Sequence, residues 1–222
     1  MFYTASENTG QVVLETKSAF VIRIIDGDTI ETDIGKIRLL GINTPERKMP
    51  LHDEALTFLQ NLVVNKSVQI ETIKGNEKDK YDRTLAYIFY NGIFVNKEIL
   101  AEGLGNLYYY NEDKYIDELK KAEEQARENE KGIWRKSSRS VCFKLVKLQW
   151  QEQTRCNNKE VLMLENECGK SINIILKDSA NHILKENIAQ GTWTRNFSCV
   201  WNDEGDSLFV WDEQGLVVYY SY

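Results

Sequence analysis

Residues 25–46 read IDGDTIETDIGKIRLLGINTPE, and the fold of the first half of the chain turns on this stretch. Asp26 and Asp28 stand two apart in a glycine-containing turn. An alternating run then sets Arg38 among Ile37, Leu39 and Leu40 and stops at Asn43-Thr44-Pro45-Glu46. Asp-Gly between alternating segments is by itself a hairpin signal that requires no function. Arg38 is harder to explain away, because an arginine among aliphatic residues either faces outward from a strand or finds an anion inside. Oxygen donors, a cation and a further carboxylate gathered by one hairpin are the parts a hard metal ion and a phosphodiester need.

Working outward, a flexible lead-in to Gly10 precedes strand-like alternation over residues 12–16, 19–25, 29–32 and 36–42. Pro45 and Pro50, the only prolines, bracket the segment after the Arg38 strand. Leu51, Ala55, Phe58, Leu59, Leu62 and Val63 then recur at helical spacing, predicting a helix from about Pro50 to Val64. A strand over 68–73 and a charged loop over 74–82 follow. Asn91-Gly92 between apolar runs predicts a type I′ hairpin. Asn96 reads as the cap of a short helix ending near Gly103, and 113–130 reads as an amphipathic helix stopped by Gly132.

The motifs Asp26-Gly27-Asp28-Thr29, Arg38-Leu39-Leu40, Thr44-Pro45-Glu46 and Asp79-Lys80-Tyr81-Asp82-Arg83 stand in that order, followed by Gly103-Leu104, Tyr109 and Gly132-Ile133-Trp134. In sequence and spacing they resemble the staphylococcal nuclease (thermonuclease) family over about the first 135 residues. The resemblance implies an OB-fold β-barrel with packed helices. It also implies Ca²⁺ held by Asp28, Asn43 and the Thr44 carbonyl, with Glu46 as general base. Arg38 and Arg83 would stabilise the phosphoryl charge, and Lys80, Tyr81 and Tyr109 would contact the nucleotide. The implied reaction is hydrolysis of DNA and RNA to 3′-phosphate products, single strands favoured, in an extracellular or periplasmic setting. One position departs from the family pattern: Asn43 stands where the family has Asp, which removes a formal charge from the metal site.

Composition sets the outer bounds. The 222 residues are long enough for one large or two modest domains, 42% hydrophobic and 28% charged residues are ordinary for a globular protein, and no apolar run approaches a membrane helix. The start MFYTASENTG has neither the basic nor the apolar region of a signal peptide. The net charge of −6 divides evenly, three negatives on each side of Ser140. That argues against a passive, high-affinity coat for nucleic acid, which would be basic, and leaves room for an enzyme with a few local cations.

Residues 135–140, RKSSRS, read as a short solvated linker, and the composition changes beyond them. Four of the five tryptophans follow, with strands expected over 161–164, 171–176, 192–194, 208–211 and 217–220 and turn signals between them. The closing run, with Trp201-Asn202, Gly205-Asp206, Asp212, Gly215 and Tyr220-Ser221-Tyr222, resembles a lamin-tail domain, which implies an immunoglobulin-like β-sandwich with a binding or positioning role. The fold expected is thus a β-rich two-domain protein, with the nuclease-like barrel over 11–136 and the lamin-tail-like sandwich over 146–222. Each half carries its own apolar pattern, so a fragment ending near Lys136 is expected to fold alone. Cys142, Cys156, Cys168 and Cys199 lack the close pairs of a zinc site, and disulfides and buried thiols both stay open.

Two functions of different class stand at this point. One is a calcium-dependent nuclease with an accessory domain. The other is a barrel, catalytically weakened or silenced at Asn43, that binds nucleic acid or protein. Intact Glu46, Arg38 and Arg83 favour the first, since loss of activity usually removes several catalytic residues together.

Overall fold

The computed structural model describes residues 14–75, 77–109, 113–149, 160–201 and 205–222. The lead-in to Gly10, Tyr110, Trp150, Cys156 and the turn at Asp203-Glu204 lie outside them. The first half is built from strands β1 (Leu14–Asp26), β2 (Thr29–Thr32), β3 (Gly35–Leu39), β4 (Ile42–Asn43), β5 (Ser67–Ile73), β6 (Thr84–Tyr90), β7 (Ile93–Phe94) and β8 (Asn106–Leu107). Helices α1 (His52–Val63), α2 (Val95–Ala101) and α3 (Ile116–Glu128) alternate with them. Strands β3-β2-β1-β5-β6 pair in that order, and parallel pairing of β3 with β6 (Arg38 opposite Leu85) closes a five-stranded barrel. Closure leaves no exposed edge between these strands. The barrel is filled by Val21, Ile30, Ile37, Leu39, Ile70 and Ile88, all at most 1% exposed, and capped by the apolar faces of the helices.

Most local expectations hold, with instructive exceptions. Asn91 and Gly92 both take positive φ (49° and 81°), as a type I′ turn between β6 and β7 requires. The two strands expected before Asp26 are one strand, β1, whose register shifts at two places where it bends around the barrel. Helix α1 begins two residues after Pro50, because Leu51 is in the left-handed region. Asn96 does not cap α2. It lies inside the first turn, fully buried, and receives the Ile88 N–H (2.9 Å) while donating to the Leu40 carbonyl (2.8 Å). It therefore ties the helix to two barrel segments, a long-range role that cap preference does not encode.

The second half comprises β9 (Phe143–Gln149), β10 (Glu160–Asn166), β11 (Ile172–Lys177), β12 (Ile183–Ile188), β13 (Gly191–Phe197), β14 (Ser207–Trp211) and β15 (Leu216–Ser221). Sheets β13-β10-β9 and β12-β11-β14-β15 are both antiparallel and share one core around Leu162, Leu164, Ile174, Leu176, Leu208 and Val210. Strands β9 and β12 are additions to the sequence reading. Cys142 and Cys168 form a disulfide, and Cys199 is also disulfide-bonded.

The halves are not joined by a solvated linker. Ser137 is buried and donates to Asp212 Oδ2, and Arg139 pairs with Asp212 and Glu213. Leu216 N donates to Arg135 O, and Ser137 N donates back to Leu216 O. A third apolar cluster spans the junction, setting Met49, Ala126, Ile133 and Trp134 against Phe209, Trp211 and Leu216. The Trp211 indole N–H donates to the Ile133 carbonyl at 2.8 Å. The side chains of Ser137, Ser138 and Arg139 find partners about 75 residues away, while Arg135 and Lys136 are exposed.

Candidate active site

The site is built on the turn between β1 and β2. At Gly27 a Cβ would lie 2.7 Å from Thr44 Oγ1 and 2.8 Å from Ala55 Cβ, so only glycine lets the turn sit directly against Thr44 and α1. This places Asp28 under Thr44. Its Oδ2 accepts from the Thr44 N–H and hydroxyl, both at 3.0 Å, and its Oδ1 accepts from Thr29 Oγ1.

Arg38 answers the question its sequence left open: it points inward. Nη2 reaches Asp28 Oδ2 at 3.1 Å and Asn43 Oδ1 at 3.1 Å, while Nη1 donates to the carbonyls of Leu39 and Ile42. The chain leaves β3 and curls around the guanidinium into β4, which is why the expected continuous strand over 36–42 is broken. The side chains of Arg38 and Asp28 are only 12% and 9% exposed, so their charges face each other across a poorly solvated gap. Charge-assisted hydrogen bonds in such surroundings are strong.

Glu46 follows this cluster, half-buried. Burial, and after it the negative charges of Asp26 and Asp28, push its carboxyl above the usual range. Asp26 is raised in the same way, by burial first and then by Asp28, against the lowering effects of the Gly27 N–H, His52 and Arg38. His52 itself is buried, with Nδ1 at 3.0 Å from the Pro45 carbonyl and 3.4 Å from Asp26 Oδ1.

Arg83 is held by Asp79, through Nε at 2.7 Å and Nη2 at 2.6 Å, and its Nη1 is 3.4 Å from Thr29 Oγ1. One hydroxyl therefore separates Arg83 from Asp28. Burial raises Asp79, but the hydrogen bonds from the Arg83 side chain and from the Arg83 and Tyr81 N–H groups outweigh it and leave the carboxyl lowered. Lys80 and Tyr81 lie on the loop before β6. The Tyr81 ring is 68% exposed, with Lys80 Nζ 5.1 Å and the Arg83 guanidinium 5.5 Å from its centre. Tyr109 follows β8, part-exposed, with Lys120 Nζ 5.2 Å from its ring.

The structure thus brings Asp28, Arg38, Asn43, Thr44 and Glu46 into one cluster, attaches Arg83 through Thr29, and leaves Lys80, Tyr81 and Tyr109 on flanking surfaces. Sequence reasoning gave Asp26 no role beyond the turn and His52 none at all, and it missed the contribution of the second half entirely. Asn43 Nδ2 donates to the carbonyls of Ser179 (3.1 Å) and Ala180 (2.8 Å). The acceptors around Asn181 set its amide nitrogen toward Glu46 Oε1, 3.3 Å away. Lys177, 3% exposed, donates to Asn106 Oδ1 and to the carbonyls of Asp178 and Ser179, and burial brings its ammonium down to about 8. A charged pair just after an apolar strand, Lys177-Asp178, is the one sequence signal that could have pointed here.

The chemistry of the donors suits a hard divalent cation: they are oxygens only, and Asp26 and Glu46 are partly desolvated and raised, a cost that a cation relieves. Among the described residues no three His, Cys, Asp or Glu side chains form a ligand set by themselves, so neutral oxygens from Asn43 or the backbone would have to join them.

A closed five-stranded barrel with packed helices, carrying an arginine–carboxylate centre at its first hairpin, is consistent with an OB-type barrel. Residues 36–136 match the family described as staphylococcal nuclease homologue. The chain is 38% identical over 125 residues to the thermonuclease of Staphylococcus hyicus, covering 51% of this chain and 73% of that protein. It is 37% identical over 127 residues to the SPbeta prophage-derived endonuclease YokF of Bacillus subtilis (52% and 43%). To endonuclease YncB of the same organism it is 38% identical over 127 residues (52% and 60%). The chain belongs to the staphylococcal nuclease family.

Proposed function

We propose that the protein is a calcium-dependent nuclease that hydrolyses DNA and RNA to 3′-phosphate products, favouring single strands. The observation that carries this reading is the buried contact of Arg38 with Asp28 and Asn43 beside a desolvated Glu46. A guanidinium, oxygen donors and a base with a raised pKa converge on one point. Asp28, Asn43 Oδ1 and the Thr44 carbonyl would hold Ca²⁺, which when bound supplies positive charge to the scissile phosphate. Glu46 takes a proton from the attacking water, and its raised pKa makes it a stronger base. Arg38 and Arg83 stabilise the charge that accumulates on the phosphoryl oxygens as the bond to the 5′-oxygen breaks. Lys80, Tyr81 and Tyr109 offer cationic and stacking contacts to the nucleotide. The weakened-barrel alternative has less support, because Glu46, Arg38 and Arg83 are all in place.

The same proposal divides the chain into the nuclease-like unit, 11–136, and an accessory immunoglobulin-like unit, 146–222, related to lamin-tail domains and of unassigned partner. The Cys142–Cys168 disulfide supports an extracellular or periplasmic setting. The test is digestion of an end-labelled single strand with Ca²⁺ or with chelator. Cleavage only with Ca²⁺, giving ends that a 3′-phosphatase alters, is expected, and equal cleavage in chelator overturns the proposal.

Asn43→Asp has two expected consequences of opposite sign. A carboxylate adds a charged oxygen to the proposed ion site, so calorimetric Ca²⁺ affinity rises. It also removes the N–H groups that satisfy Ser179 and Ala180 and sets like charge near Asp28. Stability in chelator should then fall by about 1–3 kcal/mol, read from denaturant melts. Unchanged Ca²⁺ affinity would remove Asn43 from the ion site.

A further inference from the structure

Residues 178–181 of the second half form a turn that closes over the candidate site, and side chains of its own half hold it by several hydrogen bonds. Asp206 Oδ1 accepts both the N–H (3.0 Å) and the hydroxyl (2.6 Å) of Ser179. Asp178 accepts the His182 N–H and pairs with its ring. Lys177 holds two carbonyls of the turn from beneath. The turn then docks on the barrel: the Ser179 carbonyl receives Asn43 Nδ2 and Asn106 Nδ2 (3.0 Å), and Ala180 O receives Asn43 Nδ2. Buried Asn106 and Asn43 are opposite one another in the β4–β8 pairing, so the barrel presents two amide groups to one turn. An aspartate at position 43 has no N–H to offer, whereas the amide turns its oxygen to Arg38 and its nitrogen to the second half.

Ser179 also lines a groove of about 770 Å³ between the two halves. Tyr109, Lys120 and Arg127 stand on its barrel bank, and Asp206, Tyr219 and Tyr222 on the other.

We propose that the turn at 178–181 is a specificity wall of the nuclease site, docked by Asn43 and Asn106, that admits a flexible single strand and excludes duplex. This rests on the nuclease reading above. A single strand bends and splays its bases onto aromatic rings, whereas a duplex is stiff over about 150 base pairs and cannot carry a phosphate to an arginine this enclosed. Lys177 is a positioning residue here: it touches the turn and Asn106, and its loss loosens the wall without touching substrate.

The experiment compares wild type, Lys177→Met and Ser179→Gly, each with Ca²⁺, on one labelled sequence offered single-stranded and as duplex. Hydrogen exchange of the Ser179 and His182 amides on the same proteins reports whether the turn has loosened. The proposal expects faster exchange and a duplex-to-single-strand rate ratio at least tenfold higher, with single-strand cleavage within about threefold of wild type. Faster exchange with an unchanged ratio overturns the wall. Equal rises on both substrates overturn it too, since the turn would then be a plug that blocks any substrate. Unchanged exchange in both variants shows that these contacts do not hold the turn and overturns the docking argument. A wild-type protein inactive on both substrates defeats the nuclease reading and the wall with it, while an active wild type with an unchanged ratio defeats the wall alone.

Discussion

Arg38→Lys is expected to lower kcat by about two orders of magnitude or more, and to lower stability as well. Arg38 donates to two groups of acceptors: Leu39 O and Ile42 O from one nitrogen, Asp28 and Asn43 from the other. A lysine ammonium is a single point with three donors, and it cannot span the backbone curl and the carboxylate together. The catalytic loss follows from the proposed role of Arg38 at the phosphate, because a point charge does not reproduce the delocalised charge and fixed geometry of a guanidinium. The stability loss, about 1–3 kcal/mol, follows because buried acceptors lose their donors. Steady-state kinetics beside a denaturant melt check both. A fully active Arg38→Lys variant would take Arg38 out of the mechanism, and an unchanged melt would contradict the buried contacts.

Ending the chain after Lys136 is expected to give a barrel that is markedly less stable, its melting temperature lower by about 10 °C or more. The sequence suggests the opposite, since RKSSRS looks like a solvated connector. The cut, however, uncovers Trp134, which is 1% exposed in the whole chain and packs against Phe209 and Tyr219 with ring centres 5.5 and 5.0 Å away. It also exposes Ile133 and Ala126, strips the Ile133 carbonyl of the Trp211 indole, and removes the turn that satisfies Asn43. Removing the cover from one large aromatic costs about 3 kcal/mol or more, worth several degrees in a domain of this size. Thermal melts of fragment and whole chain decide it, and equal melting temperatures would show that the third cluster contributes nothing.

What the sequence disclosed and what it hid divide along a physical line. Local rules found the Asp26-Gly27 and Asn91-Gly92 turns, the span of α1, the amphipathic face of α3 and most strands of both halves, because each is written in neighbouring residues. Asp28, Arg38, Asn43, Thr44 and Glu46 lie close together because 25–46 is one hairpin and its exit, whereas the roles given to them came from the family resemblance and not from local rules. Asn96 was misread because its partners, Leu40 and Ile88, are brought to it by barrel closure. The strand expected over 171–176 stops just short of Lys177, and nothing local says that this end meets Asn106 and the turn held by Asn43. Asn43 itself looked like a missing charge, and it makes structural sense only beside the carbonyls of Ser179 and Ala180.

The central claim is that the oxygens around Asp28 hold an ion on which cleavage depends. Calorimetric titration of Ca²⁺ into the wild type and Asp28→Asn, with single-strand cleavage measured on the same samples, tests it most directly. Asp28→Asn keeps an oxygen for Thr44 and Arg38 but loses the charge, so ion binding and cleavage should weaken together. Cleavage that survives in Asp28→Asn after its Ca²⁺ binding has been lost would contradict the account.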